Sequence, residues 1–257
     1  MGLGGNDSGT ELSSWRKRVR LNRYLALCGV ASRRKCDDII LSGNVAVNDV
    51  VCKELATLIN PKKDKVSYNG EILKVPVNYS YYILNKPAGY ITSSGDPHNR
   101  KTVYSLLKDV GERVFHVGRL DQDSKGLLLF TNDGKMAHRL LHPKYEVPKE
   151  YLLTVNGFLS DESISMLEKG IVLEEGKTKE AIIKLIRRKE KESEIRITIS
   201  QGWKRQIRRM VEAIGLGVKT LRRETFGCLS LSDLEEGGYR KLTVEEINAL
   251  KRLVKLP

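Results

Sequence analysis

The chain has 257 residues and 45 Lys and Arg against 32 Asp and Glu, a formal charge of +13. That length accommodates one or two domains with ample core, and 40% apolar content argues against wholesale disorder. No apolar run approaches the roughly 18–20 residues of a membrane span, no amino-terminal apolar segment has the form of a signal peptide, and the basic excess favours a polyanionic partner; a soluble, cytoplasmic protein is expected.

Residues 1–14 are rich in Gly and Ser and are expected to form a flexible leader. The next stretch, residues 15–66, holds twelve Lys and Arg against five Asp and Glu, about half of the net charge in a fifth of the chain. In it Leu21, Tyr24, Leu25 and Cys28 recur at i, i+3, i+4, i+7, one face of a helix that Gly29 stops. Ser32 is positioned to cap a second helix whose apolar side is Cys36, Ile39 and Ile40, and Gly43 ends it. Val45-Ala46-Val47 follows as a strand, turned by Asn48-Asp49. Arg33, Arg34 and Lys35 fall in the first turn of the second helix, where cations oppose the helix dipole. Such a cluster is either a solvated face or a binding surface.

The runs Arg20-Leu21-Asn22-Arg23-Tyr24-Leu25, Gly29-Val30-Ala31-Ser32-Arg33-Arg34 and Ile40 through Asn48 resemble the S4 RNA-binding domain. The resemblance implies a domain over residues 15–68 that grips folded RNA with Arg20, Arg23, Arg33, Arg34 and Lys35. A linker over 69–80, marked by Asn69-Gly70 and Pro76, and a larger domain over 81–257 complete the expected organisation.

In the larger domain strands are expected at 81–84, 114–117, 127–131, 151–155, 182–186 and 194–200, and helices at 134–142, 161–169, 205–214 and 244–254. The charged run 187–194 reads as a hairpin tip in solvent. Strands and helices mix without a βαβ rhythm, so the fold class is α+β: a small α/β domain, then a largely antiparallel mixed sheet flanked by helices. Cys28, Cys36, Cys52 and Cys228 contain no CxxC pair and read as small apolar residues in a reducing compartment. His138 and His142 have an i, i+4 spacing that can hold zinc but lack a third ligand, so no metal is expected.

The polar segment from Gly118 to Gly126 lies between two apolar strands, the setting in which scaffolds often hold reactive groups. Asp121 and Asp123 lie there beside Arg119 and Lys125. Chemistry alone leaves three readings: one carboxylate as nucleophile, a pair holding a divalent ion, or turn residues bonded to their own backbone.

The segment Gly118-Arg119-Leu120-Asp121 with Gly126 through Gly134 resembles the active-site motif of pseudouridine synthases, in particular the RsuA/RluB/RluF group, whose members carry an amino-terminal S4 domain. Asn85-Lys86-Pro87-Ala88-Gly89 with Thr92-Ser93, Lys149-Glu150-Tyr151 and Gln201 through Met210 match further motifs of that group in the same order. Ser124 stands where the group often has Thr.

The resemblance implies isomerisation of a uridine in ribosomal RNA without a cofactor. It assigns catalysis to Asp121, the cation beside it to Arg208, and the surface under the flipped uracil to Tyr151. Arg119 is implied to fill the gap left by the base or to grip its phosphate, Lys86 to shape the substrate cleft, and Arg205 and Arg209 to face solvent or phosphate. On the expected helix Ile207, Met210, Val211 and Ile214 form the apolar stripe, with Arg208 projecting away from it. The Arg205-to-Met210 run resembles the large-subunit branch, so 23S ribosomal RNA or an assembly intermediate is the expected partner of a monomeric enzyme. The alternatives are a small-subunit (16S) enzyme, a non-catalytic assembly protein, and a metal-dependent nuclease using Asp121, Asp123 and Asp133.

Overall fold

The computed structural model describes residues 18–75 and 78–257, so the expected leader and Pro76 lie outside the described residues. The chain divides into two units, Met1–Tyr79 and Ser80–Pro257.

In the first unit, helix α1 is Leu21–Leu27 and α2 is Arg33–Leu41. Ser32 caps α2 by accepting from the Lys35 amide at 3.3 Å, and Gly43 follows its end at φ 81°. The strands are β1 (Val19–Arg20), β2 (Val45–Val47), β3 (Val50–Val51), β4 (Leu58–Ile59), β5 (Val66–Tyr68) and β6 (Glu71–Ile72). β1 pairs with β4, and the others form an antiparallel sheet in the order β3-β2-β5-β6. Asn48 and Asp49 both take positive φ, as a two-residue hairpin turn requires. Leu21, Leu25, Cys36, Ile40, Val45, Ile59 and Val66 pack into one core. β6 pairs with β5 within the segment expected to be a linker, so the first unit runs further than the apolar pattern suggested.

The second unit contains β7 (Tyr81–Lys86), β8 (Phe115–Val117), β9 (Lys125–Thr131), β10 (Lys149–Asn156), β11 (Val172–Leu173), β12 (Gly176–Lys177), β13 (Ile182–Arg188), β14 (Glu192–Ile199), β15 (Val218–Phe226), β16 (Leu229–Ser230) and β17 (Tyr239–Lys241). Its helices are α3 (Gly134–Leu141), α4 (Asp161–Lys169), α5 (Gln206–Glu212) and α6 (Val244–Leu253). Asp133 caps α3 and Ser160 caps α4, while Thr243 and Glu246 close a capping box on α6. The main sheet runs β13-β14-β10-β15-β9-β7-β17, with β16 on β15 and β8 on β9. Every pairing in it is antiparallel except β9 with β15. The α+β class with a largely antiparallel sheet is therefore what the chain adopts.

The parallel contact is two residues long and depends on Gly126. A Cβ there would stand 2.2 Å from the Arg223 carbonyl oxygen, and its φ of +106° is one that L side chains rarely adopt. This glycine lets β15 lie against the strand that leaves the Asp121 loop. β15 itself escaped the sequence reading. Its residues VKTLRRETF carry four charges and fall in no element expected from the sequence, yet Leu221, Arg223 and Phe226 are buried and the strand is central. The hairpin over 187–194 turns where the charge run expects it.

Candidate active site

Lys86, at the end of β7, is fully buried, and its three ammonium N–H groups are shared among four backbone carbonyls within hydrogen-bond distance. These are Pro87 at 3.0 Å, Asp121 at 3.1 Å, Gln122 at 3.3 Å and Ser124 at 2.7 Å. Three of them belong to the turn after β8, so this one side chain fastens the aspartate loop. The following loop closes the other side. The Gly89 amide donates to the Gln122 carbonyl at 2.8 Å, and the Thr92 hydroxyl donates to the Leu120 carbonyl at 2.8 Å. Lys86, grouped with the substrate-binding residues as one that shapes the cleft, is sealed from solvent: it acts on the loop and does not itself meet the RNA. Burial pulls its pKa down to about 8, opposed in part by the charges of Asp123, Asp121 and Glu236.

The two carboxylates of that loop are sorted by two arginines. Arg208 on α5 is only 6% exposed and lies 3.0 Å from an Asp123 oxygen. Its second terminal nitrogen donates to the Val218 carbonyl at 3.3 Å, and Ser124, also buried, accepts from Arg208 at 3.4 Å. Arg205 reaches both carboxylates at longer range, 3.7 Å to Asp123 and 3.9 Å to Asp121. The expectation that Arg208 pairs with Asp121 is thus corrected: its partner is Asp123, two residues on. Asp121 is not a buried carboxylate either, since 37% of its side chain is exposed. Arg208 leaves the apolar stripe as expected, yet it is buried against the loop rather than standing free.

Arg205 precedes α5 in a left-handed conformation at φ 50°, a costly position for a residue with a Cβ. The preceding turn holds it there: buried Gln206 accepts from the Trp203 amide at 3.0 Å and donates to the Gln201 side chain at 3.3 Å. Arg209, expected to face solvent or phosphate, makes two bonds to Glu175, at 2.7 and 2.8 Å.

A cleft of about 570 Å³ opens beside the loop. Asp121, Arg119, Tyr151 and Arg205 line it, with Trp203 and the half-buried His116. Asp123 does not; it lies on a shallow depression with Ala88, Gly89 and Gln122. Tyr151 on β10 is 8% exposed and stands in register with Arg223 of β15. Arg119 is exposed. His116 bonds the Gly118 carbonyl through Nδ1 at 2.8 Å, and burial holds its pKa below the usual range.

Asp133 does not join the other carboxylates. Its oxygens accept from the Lys135 and Met136 amides at 2.9 Å each and from the Tyr81 hydroxyl at 2.7 Å. The three-carboxylate nuclease reading therefore has no common centre in this fold. In the first unit Arg20, Arg23, Arg33, Arg34 and Lys35 are all exposed, and among the described residues only Lys35 has an ion-pair partner, Asp38 at 3.5 Å.

The sequence motifs contain Ser124 and Lys149 without giving either a role, and neither Asp123 as the arginine acceptor nor Arg223 stands out in them. The adjacency of two aspartates was a signal for Asp123. The others sit on a polar loop and on strands whose facing residues only pairing reveals.

Residues 80–213 match the family RNA pseudouridylate synthase. A Bacillus subtilis protein named ribosomal large subunit pseudouridine synthase B is 44% identical over 240 residues, covering 91% of this chain and 96% of that protein. An RNA pseudouridine synthase of Aquifex aeolicus is 42% identical over 239 residues, 93% of this chain and 96% of its own. The ribosomal small subunit pseudouridine synthase A of Escherichia coli is 35% identical over 232 residues, 89% and 98% respectively. A crystal structure of a pseudouridylate synthase superposes with a TM-score of 0.66 at 31% identity, covering 90% of this chain and 99% of that one.

Proposed function

The chain belongs to the RNA pseudouridylate synthase family, and from that premise we propose that it isomerises one uridine of large-subunit ribosomal RNA, with Asp121 as the reacting carboxylate. RNA pseudouridine synthase activity is what the family does. The reaction breaks the N1–C1′ bond of uridine and rejoins the base through C5. Nothing is added or removed, so no co-reactant is required.

The observation that carries the assignment is the unequal treatment of the two aspartates. Asp123 takes the close bond from Arg208, whereas Asp121 faces the cleft with its nearest cation at 3.9 Å. A carboxylate at that wall can attack C1′, as glycosidase carboxylates do, or remove a sugar proton on the way to a glycal. Both routes expel the same uracil anion. Arg208 serves the carboxylate at one remove: it neutralises Asp123 and bonds Ser124, and so holds the loop that presents Asp121.

Tyr151 offers a ring on the cleft for the uracil of a flipped-out nucleotide. Arg119 lies at the same cleft and meets the flanking phosphate or the space the base has left. The exposed cations Arg20, Arg23, Arg33, Arg34 and Lys35 suit the phosphates of a folded RNA, which supports reading the first unit as an S4 domain. Large-subunit RNA is favoured because the relative named for that substrate is 44% identical, against 35% for the one named for the small subunit.

The test incubates purified protein with unmodified large- and small-subunit RNAs, with and without EDTA, and maps new pseudouridine by carbodiimide labelling and primer extension. One stop on large-subunit RNA, resistant to EDTA and absent with Asp121→Ala, is expected. A stop on small-subunit RNA alone overturns the substrate, and a stop that survives Asp121→Ala overturns the catalytic assignment.

A further inference from the structure

The cleft floor carries two cations that the reaction as described leaves unused. Arg223 of β15 is 2% exposed and lines the cleft. Its Nε donates to the Leu127 carbonyl at 2.7 Å, but its Nη2 is buried with no hydrogen-bond partner among the described residues. Lys149 of β10, half-buried, spends one proton on the Val147 carbonyl at 2.8 Å. Strand register brings them together: Lys149 pairs with Phe226 and Tyr151 with Arg223, so four side chains share one face around the cleft. The Phe226 ring lies under both cations, 5.3 Å from the Arg223 guanidinium carbon and 5.9 Å from the Lys149 nitrogen. Neither has a carboxylate within ion-pair distance among the described residues.

Two like charges in a poorly hydrated pocket oppose each other and are costly to desolvate. Burial, and then the charge of Arg223, pull Lys149 down to about 8. A fold sustains such a pair where a ligand brings the missing negative charge. The cross-strand neighbour of Arg223 is Tyr151, the ring on which the uracil rests in the reading above.

We propose that Arg223 and Lys149 form a cationic seat for the uracil anion, holding the charge on its carbonyl oxygens while the glycosidic bond is open. This rests on reading the cleft as the uridine site. When N1–C1′ breaks, its electron pair leaves with the base and spreads over N1 and the two carbonyls. The seat holds that charge as the ring turns. C5 then bonds to C1′ as the Asp121 ester bond breaks or, on the glycal route, as C2′ regains its proton; the C5 proton departs and N1 takes one up, so the sum is an isomerisation. The seat serves the nucleophilic and the glycal route alike, because both release the same anion.

The test uses the full chain, wild type and Lys149→Met, with Arg223→Gln as a second variant, on ribosomal RNA transcripts containing uridine or 5-fluorouridine. Fluorine at C5 stabilises the uracil anion by itself and reduces the need for a seat. Single-turnover loss of the N-linked nucleoside should slow about 100-fold for uridine in Lys149→Met and about tenfold or less for 5-fluorouridine, with RNA affinity unchanged. Equal slowing of both substrates overturns the proposal, as a structural role would produce. Weakened RNA binding with equal slowing overturns it in favour of a backbone-phosphate contact, and an unchanged rate overturns it outright.

If the wild-type chain modifies neither ribosomal RNA, the substrate reading has failed and the seat is judged by binding. Barbiturate, a planar pyrimidine anion, should then raise the wild-type Tm more than uracil at equal concentration. That difference should vanish in Lys149→Met; equal shifts in the wild type overturn the seat.

Discussion

In the unit up to Tyr79, Arg20, Arg23, Arg33 and Arg34 are exposed and have no ion pair among the described residues, whereas from Ser80 onward Lys86, Arg208 and Arg223 are buried among carbonyls and a carboxylate. The same residue types do different work because their surroundings differ. Exposed cations act through the long-range field and through counterion release, and each is worth little to the fold. Lys86 and Arg208 are matched to carbonyls, a hydroxyl and a carboxylate of the aspartate loop, and so they fix its backbone to within hydrogen-bond geometry. A count of Lys and Arg sees only the first kind of role.

The largest expected effect tests this division directly. Asp121→Asn should lower single-turnover rate about 10⁴-fold or more while leaving RNA affinity in a filter-binding titration nearly intact. Loss of affinity in step with rate would mean that the second unit's loop also carries binding.

Next comes the junction that gives the cleft its floor. Gly126→Ala forces a Cβ into the Arg223 backbone and should cost about 3 kcal/mol or more in denaturant unfolding. Gly29 also has positive φ, but a Cβ there would meet no atom within 4 Å, so Gly29→Ala should cost less than half as much.

On the first unit, Arg33→Glu with Arg34→Glu should weaken RNA binding by about 10- to 100-fold at low salt and make the salt slope shallower by about 2. The rate at saturating RNA should stay within about twofold of wild type. An unchanged slope would remove these residues from the RNA contact.

The smallest effect is a difference in pH response. Burial holds Lys86 and Lys149 down at about 8, and pushes Cys28 and Tyr24 of the first unit up to about 12. Between about pH 8 and 10 the unfolded chain keeps lysine protons that the folded one has released, so these groups add stability as pH rises. Above about pH 9 the unfolded chain loses a Cys28 proton that the folded one retains, so stability falls as pH rises. Amide exchange, corrected for its intrinsic rate, should therefore show protection falling in α1 while β7 and β10 hold or gain. Parallel slopes in both units would break the comparison.

Much was legible in the residues themselves. Helices α1 to α6 and most strands follow from apolar period and punctuation, because a helix end or a two-residue turn needs only local chemistry, as Ser32, Asn48-Asp49 and Thr243 show. The motif around Asp121 marked the reacting loop for the same reason: a polar segment between two buried strands is a local pattern. Which aspartate Arg208 would meet was not local. It depended on where α5 lands against a loop more than 80 residues earlier, and landing there placed the guanidinium on Asp123.

β15 is the sharper case. Alone, its run of charges marks no element, and only pairing with β10 and β9 makes it the middle of a sheet. Local chemistry along the chain accounts for most of the helices, turns and strands, for the basic first unit and for the family motifs. The tertiary structure alone decided that Lys86 would become a clamp, that Asp123 would take the arginine and leave Asp121 to the cleft, and that Arg223 would be buried beside Tyr151. The physical reason is that a charge has no fixed meaning until its solvent is known. Burial replaces water by a few particular dipoles and charges, and which ones they are is set by contacts between distant parts of the chain.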